Sequence, residues 1–322
     1  MFGFDYIFNH TRQGHAMLHL QNVSVTFPPD VRALDNVNLQ FRQGQFTVLL
    51  GQSGAGKSTL LRCLNLLQSP TQGLVVGDDD QCLSGLNKHA PRLRQHRRHT
   101  AMVFQMHQLI LRQSAVKNVL VGMLAGQLAY KSLMPNTKAD LQWAMHCLER
   151  VDLLEKARTR CDQLSGGQRQ RVGIARALAQ RPRYLLADEP VASLDPGTAN
   201  RVLSLIQKVC DQDQITAIVS LHQVELARAY AQRVIALADG QVIFDGPPNA
   251  LSDEHLARIY KTNQQTVNAS DDHPSIPKPP TTTPKEIEDE IQLAQSVQRY
   301  VGSTVLRPGH DQHRQCRQQN QS

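Results

Sequence analysis

Phe46-Thr47-Val48-Leu49-Leu50-Gly51-Gln52-Ser53-Gly54-Ala55-Gly56-Lys57-Ser58-Thr59-Leu60-Leu61-Arg62-Cys63-Leu64 decides the fold. Its first five residues are a β-branched and apolar run that reads as a buried strand. Gly51 to Ser58 fits G-x-x-x-x-G-K-[ST], and residues 58–64 carry apolar side chains at helical spacing. Strand, glycine-rich turn and helix start, in that order, make a phosphate cradle. The glycines let backbone N–H groups turn inward, and the helix N-terminus adds a partial positive charge facing the phosphates. Lys57 is placed to reach the β- and γ-phosphates, Ser58 to offer its hydroxyl to Mg²⁺, and Thr59 belongs to the same binding set. A chance glycine-rich turn is the competing reading, and the flanking strand and helix argue against it.

A second hydrophobic run, Tyr184-Leu185-Leu186-Ala187, ends in Asp188-Glu189-Pro190. A parallel strand covered on both faces reads as a continuous apolar run, and ligands sit at its carboxyl end. Asp188 is the candidate that holds Mg²⁺, directly or through water. Glu189 is the candidate that orients or deprotonates an attacking water. An Asp-Glu pair at an exposed strand end is the plain alternative, weakened by the cradle in the same chain.

Between these runs stands Leu164-Ser165-Gly166-Gly167-Gln168, a Gly-Gly turn opening a helix with Ser165 as its cap, and a natural anion site. With this segment in place, residues 17–260 resemble the ATP-binding subunits of ATP-binding cassette (ABC) transporters, whose motifs occur here in the family's order. The resemblance implies a P-loop NTPase (RecA-like) α/β fold with an antiparallel β subdomain and an inserted helical subdomain at about 106–165. It also implies roles for individual residues. Phe27 looks like the aromatic that stacks on adenine, and Gln105 resembles the glutamine that senses the γ-phosphate and Mg²⁺. Ser193-Leu194-Asp195 is similar to the loop crossing the dimer seam, and His222 occupies the place of the switch histidine. Glu189, His222 and Gln105 would be catalytic, and Ser58, Gln105 and Asp188 would face the metal. The Ser165 to Gln168 turn of one copy would bind the γ-phosphate of ATP held by its twin, so a homodimer is expected.

The net charge of +7 invites a nucleic-acid reading, but aromatics are only 5% and no RNA- or DNA-reading motif is present, so no nucleic-acid partner is expected. The densest basic cluster, residues 88–99 with Arg92, Arg94, Arg97 and Arg98, reads as a solvated helix before a strand at Thr100-Ala101-Met102-Val103. Six scattered cysteines show no zinc or redox spacing and fit a reducing cytosol. No apolar run approaches the length of a membrane span.

Residues 18–27 and 36–41 read as an antiparallel pair. Residues 114–161 are mostly helical in pattern, with 137–151 the clearest amphipathic stretch. Helices at 166–179, 196–210 and 222–231 alternate with strands at 215–220, 233–237 and 242–244, which argues for a mainly parallel sheet wrapped by helices. Residues 1–16 read as an N-terminal extension, and Met17 is an alternative start. Residues 261–322 are expected to be disordered, because Asp271 to Thr283 is rich in proline and threonine. From Thr283, with Pro284 and Glu286 completing a capping box, the tail reads as a short fraying helix in a loose segment rather than a docking segment.

Leu221-His222-Gln223-Val224-Glu225-Leu226-Ala227 and Phe244-Asp245-Gly246-Pro247-Pro248 look like the phosphonate-import branch, although Met106-His107 departs from it. That resemblance implies an import ATPase at the cytoplasmic face of the inner membrane, working with a transmembrane permease and a periplasmic solute-binding protein. The alternatives are an importer for another small solute, such as a phosphate-like anion or amino acid, or an ABC ATPase without a transport role.

Overall fold

The structure is a computed structural model describing residues 18–77, 81–86, 90–104, 108–124 and 136–260. In chain order these form β1 (Leu18–Phe27), β2 (Val31–Phe41), β3 (Phe46–Leu50), α1 (Lys57–Leu64), β4 (Gln72–Val76), α2 (Pro91–His99) and β5 (Thr100–Val103). There follow α3 (Ala115–Met123), α4 (Lys138–Arg150), α5 (Gly166–Leu178), β6 (Tyr184–Ala187) and α6 (Pro196–Asp213). The described chain closes with β7 (Thr216–Leu221), α7 (Val224–Tyr230), β8 (Arg233–Ala238), β9 (Gln241–Gly246) and α8 (Asp253–Tyr260).

The larger sheet has the order β5-β6-β7-β3-β8-β9. Its first five strands are parallel, as the alternating pattern predicts. The last strand departs from that pattern. Only Asp239 and Gly240 separate β8 from β9, both with positive φ, and so short a turn makes an antiparallel hairpin instead of a crossover. Residues along the central strands alternate between two cores. Phe46, Val48, Leu50, Leu185, Ala187, Ala217 and Val219 face one, with Ala144, Leu148, Ile174 and Ile206 of the helices. Leu49, Tyr184, Leu186, Ile218 and Ile235 face the other, with Leu60, Leu61 and Leu64 of α1 and the apolar side of β1 and β2. Burial on both faces is what makes these strands apolar throughout.

The smaller sheet, β2-β1-β4, is antiparallel as expected, but β2 starts at Val31 and not at residue 36, and β4 was not foreseen. β4 is five residues with a glycine inside; its identity as a strand comes from register against β1 (Gln21↔Leu74, His19↔Val76), which no local pattern displays. The basic helix α2 also exceeds its solvated reading. His96 Nε2 bonds the Leu64 carbonyl at 2.7 Å, and Arg97 Nη2 donates to the Leu66 carbonyl at 2.6 Å. Two basic side chains thereby satisfy carbonyls at and just beyond the C-terminal end of α1, where the helix dipole favours positive charge.

In the helical segment, Thr137 and Asp140 form a reciprocal capping box at the start of α4. Asn118, fully buried on α3, accepts from the Ile110 N–H at 2.8 Å and donates to the Ile110 and Ser114 carbonyls, both at 3.1 Å. It thus fixes residues 110–114 against α3. No described helix is long and apolar enough to cross a membrane. Residues 1–16, Gln105, Met106-His107 and the tail 261–322 with its candidate helix lie outside the described residues.

Candidate active site

Parallel strands align their carboxyl ends on one edge of the sheet, where crevices for ligands form. The register Leu50↔Leu221 and Ala187↔Val219 brings the ends of β3, β6 and β7 together there. From Leu50 the chain turns through Gly51, Gln52, Ser53, Gly54 and Ala55 to Gly56, and α1 begins at Lys57 with Ser58 and Thr59 in its first turn. Gly56 has φ 102°, and a Cβ there would lie 2.4 Å from the Ala33 carbonyl oxygen. The cradle therefore rests directly on β2. Phe27 ends β1 and pairs with Val31 across the same hairpin, and the residue is 36% exposed. Gly240 completes the junction, its carbonyl accepting from Asp35 N–H at 2.9 Å and its N–H donating to Ala55 O at 3.3 Å.

Lys57 is buried, only 4% exposed, and its ammonium donates to the Gly51 and Gln52 carbonyls at 2.7 and 2.8 Å. It stands 3.8 Å from Glu189 Oε1. Burial pulls the Lys57 pKa below its ordinary value of 10.5, against the opposing pull of the Glu189 and Asp188 charges. Here is a cation held inside a ring of backbone groups, poised for an anion that would replace those carbonyls.

Opposite it, Ser58 Oγ donates to Asp188 Oδ1 at 2.8 Å, and Ser220 Oγ donates to the same oxygen at 3.0 Å. Asp188 N–H is tied to the Val103 carbonyl at 2.9 Å, which continues the β5–β6 ladder. Glu189 adopts φ 45°, a left-handed conformation that costs a non-glycine residue roughly 1–2 kcal/mol. Its N–H donates to Ser220 Oγ at 2.8 Å. Hydroxyl and carboxylate oxygens converge between Ser58 and Asp188, and hard oxygen donors of this kind suit Mg²⁺. Ser220 was missed in the sequence reading. The available signal was a hydroxyl inside the otherwise apolar end of β7, two residues before His222.

His222 follows the end of β7 on the same edge and is exposed, and its carbonyl accepts from Tyr260 Oη at 2.9 Å. The Gly-Gly turn belongs to a different group of residues. Ser165 Oγ accepts from Gln168 N–H at 3.3 Å, and Gln168 Oε1 accepts from Ser165 N–H at 2.9 Å, a closed capping box at the start of α5. A Cβ on Gly167 would lie 2.5 Å from Thr198 Cγ2, and one on Gly166 would touch Leu194. Asp195 caps α6 through Thr198 N–H at 2.9 Å, and hydrogen bonds from the Thr198 hydroxyl and then from its N–H lower the Asp195 pKa. Lys57, Ser58, Asp188, Glu189 and Ser220 are thus joined by direct contacts, whereas Ser165 to Gln168 pack with Leu194 and Thr198.

A family model described as ABC transporter matches residues 34–192. The chain is 54% identical to the phosphite import ATP-binding protein PxtA of Stutzerimonas stutzeri, over 82% of this chain and 95% of that one. It is 52% identical to the phosphonates import ATP-binding protein PhnC 1 of Trichodesmium erythraeum, over 76% and 96% of the two chains. Among solved structures, the ATP-binding cassette MJ0796, in a dimeric post-hydrolysis state bound to ADP and Pi, superposes with a TM-score of 0.64 at 34% identity. That match covers 72% of this chain and 98% of that one. A cradle gripping its own lysine, a carboxylate pair at the neighbouring strand end and near-complete coverage of these relatives agree: the chain belongs to the ABC transporter family, as an ATP-hydrolysing subunit.

Proposed function

We propose that the chain energises import of phosphonates, working as a homodimer at the cytoplasmic face of the inner membrane beneath a transmembrane permease fed by a periplasmic solute-binding protein. Support for the solute is the similarity to the PhnC proteins; the 54% identity to a phosphite import protein makes phosphite the second reading. The ATP-binding domain occupies residues 17–260, with the helical subdomain at about 106–165.

The observation that carries the chemistry is the convergence of Lys57, Ser58, Asp188 and Glu189 at the ends of β3 and β6. Backbone N–H groups of 51–59 and the Lys57 ammonium bind the β- and γ-phosphates, and Phe27 stacks on the adenine. Ser58 and Asp188, with Gln105, would hold Mg²⁺, which neutralises phosphate charge when bound. Glu189 takes a proton from water as the water oxygen bonds to the γ-phosphorus and the bond to the β-phosphate oxygen breaks, leaving ADP and phosphate. His222 contacts the γ-phosphate from the end of β7. The Ser165 to Gln168 turn of the twin, at a helix N-terminus, caps the same phosphate.

Reconstituting the full complex in liposomes, with binding protein loaded in turn with phosphonate, phosphite, phosphate or amino acid, tests the solute. Phosphonate should stimulate the ATPase most. Stimulation by phosphite alone would establish the second reading, and stimulation by amino acid would overturn both.

A further inference from the structure

Ser220 is fully buried at the penultimate position of β7, and each of its hydroxyl's hydrogen-bonding roles is used on a different acidic residue. Its single proton goes to Asp188 Oδ1 at 3.0 Å, so its lone pairs are left to accept, and one receives Glu189 N–H at 2.8 Å. The register places it there. Ala187 pairs with Val219 and Leu49 with Ser220, so one residue further on Asp188 lies beside Ser220 on the sheet face that carries α1. Side chains alternate along a strand, and Leu186 and Ile218, two residues before Asp188 and Ser220, both face the core containing α1.

We propose that Ser220 is a positioning residue for ATP hydrolysis, locking the Asp188 carboxylate and the Glu189 backbone into one geometry. The inference rests on the reading of Asp188 and Glu189 as the metal-facing and water-activating carboxylates. Two features of the site require such an anchor. Glu189 occupies a left-handed φ of 45° that its own side chain does not favour, and Ser220 Oγ holds its N–H. Asp188 Oδ1 receives both the Ser58 and the Ser220 hydroxyls. When Ser58 turns its lone pairs to a cation, Ser220 remains the donor that keeps Asp188 in its rotamer. Supporting groups of this kind orient a metal-facing ligand without touching the reacting atoms.

The test compares steady-state ATP hydrolysis and Mg-ATP affinity in wild type, Ser220→Ala, Ser220→Thr, Ser220→Val and Glu189→Gln. Threonine and valine have nearly the same shape and differ at the hydroxyl, so packing affects both alike. Misplaced catalytic groups cost about 10–100-fold. Ser220→Ala and Ser220→Val should therefore lose that much in kcat and need several-fold more Mg²⁺ for half-maximal rate. KM for ATP should stay within about twofold of wild type, because the Lys57 cradle is untouched. Ser220→Thr should recover most of the rate. Equal rates for the threonine and valine variants, or a wild-type kcat in Ser220→Ala, would overturn the proposal while Glu189→Gln is inactive. A fully active Glu189→Gln would instead overturn the reading beneath it.

Discussion

Lys57 Nζ and Glu189 Oε1 stand 3.8 Å apart, an ion pair between the first residue of α1 and a carboxylate just beyond the end of β6. Lys57 is the more buried partner, and burial lowers its pKa from 10.5. Bound phosphates favour the charged amine and raise that pKa again. ATP binding therefore takes up a proton between the free-state and the bound-state pKa values, and affinity falls as pH rises through that window. Titrating ATP from pH 7 to 10 should show weakening that begins below 10.5. Lys57→Met should bind about 10–100-fold more weakly at pH 7, the loss of charge-assisted hydrogen bonds, with the weakening due to Lys57 abolished.

Gly56 and Gly54 both hold positive φ, 102° and 84°, but their surroundings differ. A Cβ at 54 meets nothing within 4 Å, whereas one at 56 would sit 2.4 Å from the Ala33 carbonyl oxygen. Gly54→Ala should cost about 1–2 kcal/mol of stability, the left-handed penalty alone. Gly56→Ala should cost more and also displace the hairpin bearing Phe27. Urea unfolding of the two variants measures the difference, and equal midpoints would contradict the close packing of cradle on β2.

Asn118 is buried and uses both ends of its amide on the segment 110–114, with Nδ2 also 3.2 Å from Cys161 Sγ. Asn118→Leu should strand the Ile110 N–H, while the Ile110 carbonyl keeps the Gln113 N–H at 2.9 Å, and should cost about 2–3 kcal/mol. For a domain of this size the melting temperature should fall on the order of 10 °C, read by calorimetry.

Burial pushes the thiols of Cys63, Cys147 and Cys210 up to about 12 and raises that of Cys161 as well. Among the described residues Cys82 is the exposed cysteine. Mass spectrometry after a brief maleimide pulse at pH 7.5 should find label at Cys82 and none at Cys63, Cys147 or Cys210. Labelling of those three should appear only in denaturant, since the thiolate is the reactive species.

The contiguous parts of the site were readable in advance. The cradle and the carboxylate pair each occupy one short stretch, and their placement follows from residue type and from the strand or helix on either side. What escaped was whatever depends on two distant stretches meeting. β4 is a strand through its register with β1, whereas the antiparallel β9 is the exception, set by the local Asp239-Gly240 turn. His96 and Arg97 looked solvated because nothing in 91–99 reveals the Leu64 and Leu66 carbonyls above them. Ser220 was passed over for the same reason. A serine in a strand is unremarked until the neighbouring strand supplies Asp188 and Glu189.

Sedimentation velocity of Glu189→Gln with Mg-ATP asks whether each nucleotide is gripped by one copy's cradle and covered by the α5 turn of its twin. A dimer should form on ATP addition with two nucleotides bound, turn over about 10²–10⁴-fold more slowly than wild type, and be lost when Ser165→Arg is added. A monomer that holds ATP and hydrolyses it at the wild-type rate would contradict it.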